Sequence, residues 1–365
     1  MNSYDYPDVT AVQRAFAASG KRHLVLTGGR GAGKSTLLSA FFGGEIRPGI
    51  TTEACPGVCV TLHDNLGGDR FTVGRFDAAL PGIDRKMRAV PGVFDIKGAA
   101  ILRRLAEADA AAAGEWVTLD EIGYLEADSA DYVCALGALT DKKRVAAVVR
   151  REVLPTLSVF TDRDDIFVFD LDAPHGRTGC VIMASGMGVR FGGNKLMAPF
   201  HSKPMIAQIL RATDGIFARR IVVTRHADVR TYCEALGADV LLHDLPGRND
   251  TVRLGLAAVG EGTDACMFCP ADQPLLRHST VSALAMATAG DPGMIYRAAF
   301  DGVPGAPAVF PAWAYPALSA LPPGKGGGVV MKQYPDRVRT LGALDAWEMT
   351  DADTEEILRE LENRK

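Results

Sequence analysis

The chain has 365 residues, 47% of them hydrophobic and 23% charged, and its 40 basic against 44 acidic side chains leave a net charge of −4. That is the balance of a globular protein with room for about two domains, and it excludes disorder, a coiled coil and a broad basic field for nucleic acid. No apolar run nears the roughly 20 residues of a membrane span, the start MNSYDYPDVT is polar, and Cys55, Cys59, Cys134, Cys180, Cys233, Cys266 and Cys269 are odd in number and scattered, so the reading is a cytoplasmic protein without a disulfide framework.

In chain order, Val9 to Ala18 reads as a helix packed on as an appendage. His23 to Thr27 is a strand that runs into a glycine-rich loop, and Thr36-Leu37-Leu38 opens a helix behind it. Val58 to His63 and Phe71 to Phe76 flank the turn Gly67-Gly68-Asp69-Arg70 and predict a hairpin. Gly98 to Ala113 has Ile101, Leu105, Ala108 and Ala112 at helical spacing, and Trp116 to Leu119, Val145 to Val149 and Ile166 to Phe169 are strands. Asp170 to Gly179 is rich in turn formers and poor in apolar residues, which makes it the domain boundary; the division expected is 1–175 and 176–365. Beyond it Cys180 to Ala184, Ile221 to Thr224, Val240 to Leu242, Ala265 to Cys269, Met294 to Arg297 and Ala308 to Phe310 read as strands. Helices are marked by Val252, Leu256 and Val259 and by Val281, Leu284, Ala285 and Thr288. The alternation predicts an α/β fold with mainly parallel sheets covered on both faces.

The first loop, Gly28-Gly29-Arg30-Gly31-Ala32-Gly33-Lys34-Ser35-Thr36, fits the spacing G-x-x-x-x-G-K-[ST] between a strand and a helix. Small residues let backbone N–H groups curl around a β-phosphate, Lys34 reaches the β- and γ-phosphates, and the Ser35 hydroxyl is a Mg²⁺ ligand. The strand from Trp116 ends in Asp120 and Glu121, the first placed to hold Mg²⁺ and the second to activate a water. A chance glycine turn and a solvated acidic strand end are the plain alternatives. The segment Asp120-Glu121-Ile122-Gly123-Tyr124-Leu125-Glu126, with Thr51-Thr52-Glu53 and a hairpin before it, resembles the THEP-type nucleoside-triphosphatases over about residues 20–172, with Tyr124 where that family has lysine. The resemblance implies a P-loop NTPase that takes ATP or GTP, with a P-loop adapter like the one paired with molybdenum-cofactor guanylyltransferases as the related alternative.

The second loop is Met183-Ala184-Ser185-Gly186-Met187-Gly188-Val189-Arg190-Phe191-Gly192-Gly193-Asn194-Lys195-Leu196. Ala184, Ser185, Gly186 and Gly188 are small enough for backbone amides to approach a nucleoside triphosphate. Arg190 and Lys195 can neutralise charge on the α-phosphate and the leaving pyrophosphate. A dinucleotide loop G-x-G-x-x-G would need glycine at Phe191. Lys203-Pro204 reads as the start of the next helix.

This half resembles the MobA-like nucleotidyltransferases, and among them the molybdenum cofactor cytidylyltransferases, over about residues 178–362. The glycine loop carries the likeness together with Asp272-Gln273-Pro274, Asp351-Ala352-Asp353-Thr354-Glu355-Glu356, Asn249 to Leu256 with Thr251 at a nucleotide contact, and Gly305-Ala306-Pro307-Ala308-Val309-Phe310. Pro323-Gly324-Lys325-Gly326-Gly327-Gly328 stands where that family has an aspartate and an arginine. The resemblance implies a Rossmann-like fold, Asp272 and one of Asp351 and Asp353 (Asp353 favoured) as Mg²⁺ ligands, CTP or another NTP as donor, a molybdopterin-type cofactor as acceptor, and a molybdoenzyme as the protein partner. Two other readings stay open: transfer to a sugar or alditol phosphate, and a nucleotide-gated module that delivers cofactor. Cys266-x-x-Cys269 reads as buried thiols rather than a zinc site, Cys55 to Cys59 as a turn into a strand rather than a redox pair, and Arg150-Arg151 as a surface basic pair, with contact to a γ-phosphate the alternative.

Overall fold

The computed structural model of the chain describes residues 8–80, 86–109 and 114–364. It divides into two compact units, Gly20–Asp172 and Ala173–Lys365, the latter joined by the N-terminal stretch that ends at Ser19.

In the first unit the strands are β1 (His23–Thr27), β2 (Gly49–Cys55), β3 (Cys59–Asp64), β4 (Arg70–Phe76), β5 (Met87–Ala89), β6 (Trp116–Ile122), β7 (Arg144–Val149) and β8 (Ile166–Asp170). They form one sheet in the order β5-β4-β3-β2-β6-β7-β1-β8. From β2 to β8 across the sheet the pairs are parallel, while β2 to β5 form an antiparallel meander. The hairpin expected at 58–76 is β3 and β4. The sheet is therefore mixed, because short turns such as Cys55–Val58 can only join antiparallel strands. Helix α2 (Lys34–Phe41) follows β1; α3 (Ala99–Glu107) and α4 (Ala130–Lys142) pack on each other and bury Leu102, Leu105, Leu136 and Leu139 with β-strand side chains such as Val117 and Leu119. Of the helix read at 98–113, residues 110–113 lie outside the described residues, and its start is a π-helical turn at Phe94–Gly98.

The second unit holds β9 (Thr178–Ala184), β10 (Pro199–Phe200), β11 (Lys203–Pro204), β12 (Arg219–Thr224), β13 (Asp239–Leu242), β14 (Ala265–Pro270), β15 (Ile295–Phe300), β16 (Val303–Pro311) and β17 (Val338–Gly342). Its large sheet runs β13-β12-β9-β14-β16-β15-β17, with β16 antiparallel to both neighbours and the other pairs parallel. Its helices include α5 (Ile206–Ala212), α6 (Ala227–Ala235), α7 (Arg248–Val259), α8 (His278–Gly290), α9 (Gly328–Gln333) and α10 (Glu355–Glu362), with a further short helix at Tyr315–Ser319. Lys203-Pro204 is not a helix start: it pairs with Pro199-Phe200 across His201 and Ser202, both at positive φ, and the helix begins at Ile206. The residue before a proline avoids helical backbone, which favours the extended pair.

Helix α1 (Val9–Ser19) belongs with this second unit and not with residues 20–175. Its buried face of Ala11, Val12, Ala15 and Phe16 packs on α8 and β17, and Arg14 reaches Thr280 Oγ1 at 3.0 Å and the Gly342 carbonyl at 2.7 Å. An amphipathic helix shows in sequence that it needs a partner, not which one. Among the described residues no helix is long and apolar enough to cross a membrane.

Candidate active site

Each unit places a glycine loop at the carboxyl end of a parallel strand: β1, one strand in from the sheet edge, in the first unit, and β9, inside the sheet, in the second. Crevices form at such points in open α/β sheets. In the second unit β9 lies between β12 and β14, and the loops that leave β9 and β14 flank the crevice. The cleft there has a volume of about 820 Å³ and is lined by Ser185, Gly186 and Lys195 from the first loop, Thr251 from α7, and Asp272 and Gln273 after β14.

Four charged side chains meet at its mouth. The Lys195 ammonium lies 2.7 Å from Asp272 Oδ2 and 2.8 Å from Asp353 Oδ1, and Arg190 reaches Asp353 Oδ2 at 2.6 Å. Lys195 is buried; burial alone would depress its pKa, but the hydrogen bonds and charge of Asp272 and Asp353 outweigh that and raise it. Asp353 is held below the usual carboxylate range by the Lys195 hydrogen bond and by Arg190. Asp351 moves the other way, raised by burial and by the nearby charge of Asp272. Its Oδ1 accepts a hydrogen bond from Gln273 Nε2 at 3.0 Å, and the same amide donates to the Met349 carbonyl at 3.1 Å. The Ala352 N–H donates to the Asp272 carbonyl at 2.9 Å. The Asp-Gln-Pro turn and the C-terminal aspartate segment are thus tied together by main chain and side chain, and Thr354 caps the helix that follows through Ile357 N.

The glycine loop is shaped from within. Gly188 has a φ of 58° and a Cβ there would fall 2.2 Å from the Gly193 carbonyl oxygen, so the tight turn requires glycine. Asn194 caps the short turn that carries Lys195 and fastens it to Asp228 at 2.8 Å. Ser185 points into the sheet, donating to the Val223 carbonyl at 3.1 Å and meeting His243 Nε2 at 2.9 Å, and His226 Nε2 meets the Gly186 carbonyl at 2.8 Å. Thr251 is buried on the first turns of α7, and Ala184 is buried at the end of β9. Neither His243 nor His226 was drawn to this loop by sequence reading, because both sit on distant segments.

In the first unit Gly28 to Ser35 link β1 to α2. Lys34 is buried and its Nζ donates to the Gly28 and Gly29 carbonyls at 3.1 and 2.8 Å, while Ser35 Oγ donates to Asp120 Oδ1 at 2.8 Å. Burial raises the Asp120 pKa against the opposing effect of the Ser35 hydrogen bond. Glu121 lies 2.5 Å from Arg150, and its N–H donates to Thr52 Oγ1 at 3.1 Å. Arg150 is therefore not a mere surface base: β6 and β7 are adjacent, and the strand ends bring the pair together. Asp172, unmarked in sequence, accepts from the Gly29 N–H at 2.7 Å and from Arg151 at 2.8 Å. Glu126 is fully buried, accepts from the Gly123 N–H at 2.6 Å, and has its pKa pushed up by burial to about 7. Arg30, Gly31, Ala32, Gly33 and Thr36 complete the loop and the first turn of the helix.

Among the described residues no group of three or more His, Cys, Asp and Glu side chains stands ready for a metal. The donors present are hard oxygens in pairs, Ser35 with Asp120 and Asp272 with Asp353. That set suits Mg²⁺, which takes one or two protein oxygens and fills its shell with phosphate and water.

Residues 180–338 match the model of the MobA-like NTP transferase domain. No curated protein matches the chain. Among solved structures, Rv0371c from Mycobacterium tuberculosis H37Rv is 22% identical with a TM-score of 0.46, and the match covers 52% of this chain and 100% of that one. A nucleotidyl transferase from Methanothermobacter thermautotroptrophicus (Mth528) is 18% identical with a TM-score of 0.44, covering 51% of this chain and 96% of that one. A CMP:2-keto-3-deoxy-manno-octonic acid synthetase complexed with CTP is 14% identical with a TM-score of 0.44, covering 51% and 97%.

Proposed function

We propose that the second unit transfers a nucleotidyl group from a nucleoside triphosphate to a phosphorylated acceptor and releases pyrophosphate, and that the first unit hydrolyses ATP or GTP. The observation that carries the transfer reading is the meeting of Lys195, Arg190 and Asp272, inside the matched segment, with Asp353, which lies beyond its end, at one cleft. In the transfer, an oxygen of the acceptor phosphate forms a bond to the α-phosphorus in line with the bond to the leaving pyrophosphate, which breaks. No covalent enzyme intermediate is needed, since positioning and charge stabilisation carry most of phosphoryl transfer. Lys195 and Arg190 supply fixed positive charge where the pentavalent phosphorus and the pyrophosphate gain negative charge. A bound Mg²⁺ would add to that stabilisation, held by Asp272 and Asp353 here and by Ser35 and Asp120 in the first unit. There, Glu121 would orient the attacking water and Lys34 would leave the loop carbonyls for the phosphates.

The finer reading takes CTP as donor and a molybdopterin-type cofactor as acceptor, with a molybdoenzyme downstream. The resemblance of the glycine loop, the Asp-Gln-Pro turn and the C-terminal aspartates supports it, and the free thiols suit a reducing, cytoplasmic setting. The test is pyrophosphate release by the full chain with Mg²⁺ and each of CTP, GTP, ATP and UTP, with and without the pterin. Hydrolysis in the first unit would liberate orthophosphate, so a pyrophosphate readout isolates the second. Release that needs CTP and the pterin together supports the finer reading. Release only with a sugar or alditol phosphate replaces the acceptor. Silence in every combination overturns transfer in favour of nucleotide-gated delivery.

A further inference from the structure

The positive charge at the mouth of the cleft is neutralised by Asp272 and Asp353. Other cationic side chains lining the same cleft are not. Arg297, half-buried on β15, gives its Nε and Nη2 to the Gly305 carbonyl at 3.0 and 2.9 Å. Arg248 begins α7 and Lys325 sits in the glycine segment before α9. Among the described residues none of the three has a carboxylate within ion-pair distance. Burial lowers the pKa of Arg297, with no acidic neighbour acting the other way.

The glycine segment is built against this corner. The Gly324 N–H donates to Asn249 Oδ1 at 2.8 Å, which pins the segment to the start of α7 beside Arg248. A Cβ on Gly326 would fall 2.9 Å from Arg248 Cδ, and one on Gly327 would fall 2.5 Å from the Phe310 ring. Phe268, Phe310, Leu318 and Met331 give the cleft an apolar wall. Unpaired cations beside an apolar wall suit a ligand with an anionic head and an apolar, preferably flat body.

Resting on the nucleotidyl-transfer reading, we infer that Arg248, Arg297 and Lys325 seat the phosphomonoester of the acceptor, so the site selects acceptors that carry a phosphate over those that offer a bare hydroxyl or a carboxylate. A phosphate dianion is a nucleophile at neutral pH without loss of a proton. Three cations can collect and aim it, whereas they do nothing to deprotonate a hydroxyl. The acceptor oxygen gains the bond to the α-phosphorus, the electron pair of the broken bond leaves on pyrophosphate, and the product is a diphosphate diester. The three cations come from three separate segments, α7, β15 and the glycine segment before α9.

The test uses the full chain saturated with α,β-methylene CTP and Mg²⁺, into which phenyl phosphate is titrated by calorimetry, with benzoate and phenol as controls. Phenyl phosphate should bind beside the nucleotide and both controls at least about tenfold more weakly. Arg297→Met should weaken phenyl phosphate about tenfold or more while nucleotide affinity changes less than about twofold. Arg248→Met, at an exposed helix start, should act in the same direction and serves where Arg297→Met fails to fold. Phenyl phosphate that competes with the nucleotide, that fails to bind the saturated protein, or that is unaffected by both variants overturns the seat. Failure of the nucleotide analogue itself to bind would overturn the transfer reading and, with it, this inference.

Discussion

The two glycine loops begin alike, each leaving the carboxyl end of a parallel strand and each ending in a buried lysine. They differ in what holds the lysine. Lys34 rests on carbonyl oxygens of its own loop, whereas Lys195 rests on two carboxylates, one of them 158 residues away. Neutral carbonyls leave a mobile cation ready to follow a phosphate. Paired carboxylates make a fixed cation that is part of a charge array, and they leave oxygens for a divalent ion once phosphate enters. In the first loop the lysine is thus held within the loop itself, whereas the lysine of the second depends on the C-terminal segment folding onto it.

The largest effect should fall on the array. Lys195→Met should lower pyrophosphate release about 10²–10³-fold, as loss of a fixed transition-state charge does elsewhere. Nucleoside-triphosphate hydrolysis to orthophosphate, measured in the same sample, should stay near wild type. Lys34→Met should do the reverse, with hydrolysis down about 10²-fold and transfer intact. A single lysine variant that silences both reactions would show the two loops to be coupled.

Phe16→Ala probes the scaffold of one unit only. Truncating a buried phenylalanine costs about 3 kcal/mol, and because α1 packs on α8 and β17, hydrogen exchange should speed up in those elements while β7 keeps its protection. Faster exchange in β7 instead would place α1 with the other unit.

Glu126→Gln tests the contrast between a carboxyl held neutral and Asp353, held ionised. Glu126 has its pKa raised from 4.5 to about 7 in the folded chain. The folded state binds the extra proton between those values, so stability falls as pH rises through that window. The Gln variant, which can still accept from Gly123 N–H, should be more stable than wild type at pH 8 by on the order of 2 kcal/mol. Below about pH 4.5, where both states are protonated, the difference should vanish. Urea melts at both pH values check it, and an equal effect at the two values would mean that the carboxyl is not held neutral.

Local chemistry made much of this legible. A glycine-rich turn between an apolar strand and a helix start is written in adjacent residues, so both loops and most strands from β1 to β16 could be read directly. The antiparallel pair β3 and β4 was legible from its turn, whereas the antiparallel placement of β16 was not, because its apolar patterning is that of a parallel strand and differs only in how the chain returns. Arg150 looked like a surface base since its partner, Glu121, is 29 residues earlier on the neighbouring strand. Asp172 at Gly29 and His243 at Ser185 were invisible for the same reason.

By itself the sequence determined the alternation of elements, the two loops with their lysines, the acidic pair at the end of β6 and the aspartate after β14, because periodicity and turn chemistry act over a few residues. Only the tertiary structure decided that α1 joins the second unit, that Asp353 rather than Asp351 shares Lys195 with Asp272, and that Arg248, Arg297 and Lys325 line one cleft. Those are matters of which distant segments pack together, and packing is set by the complementarity of whole surfaces, which no short window of sequence contains.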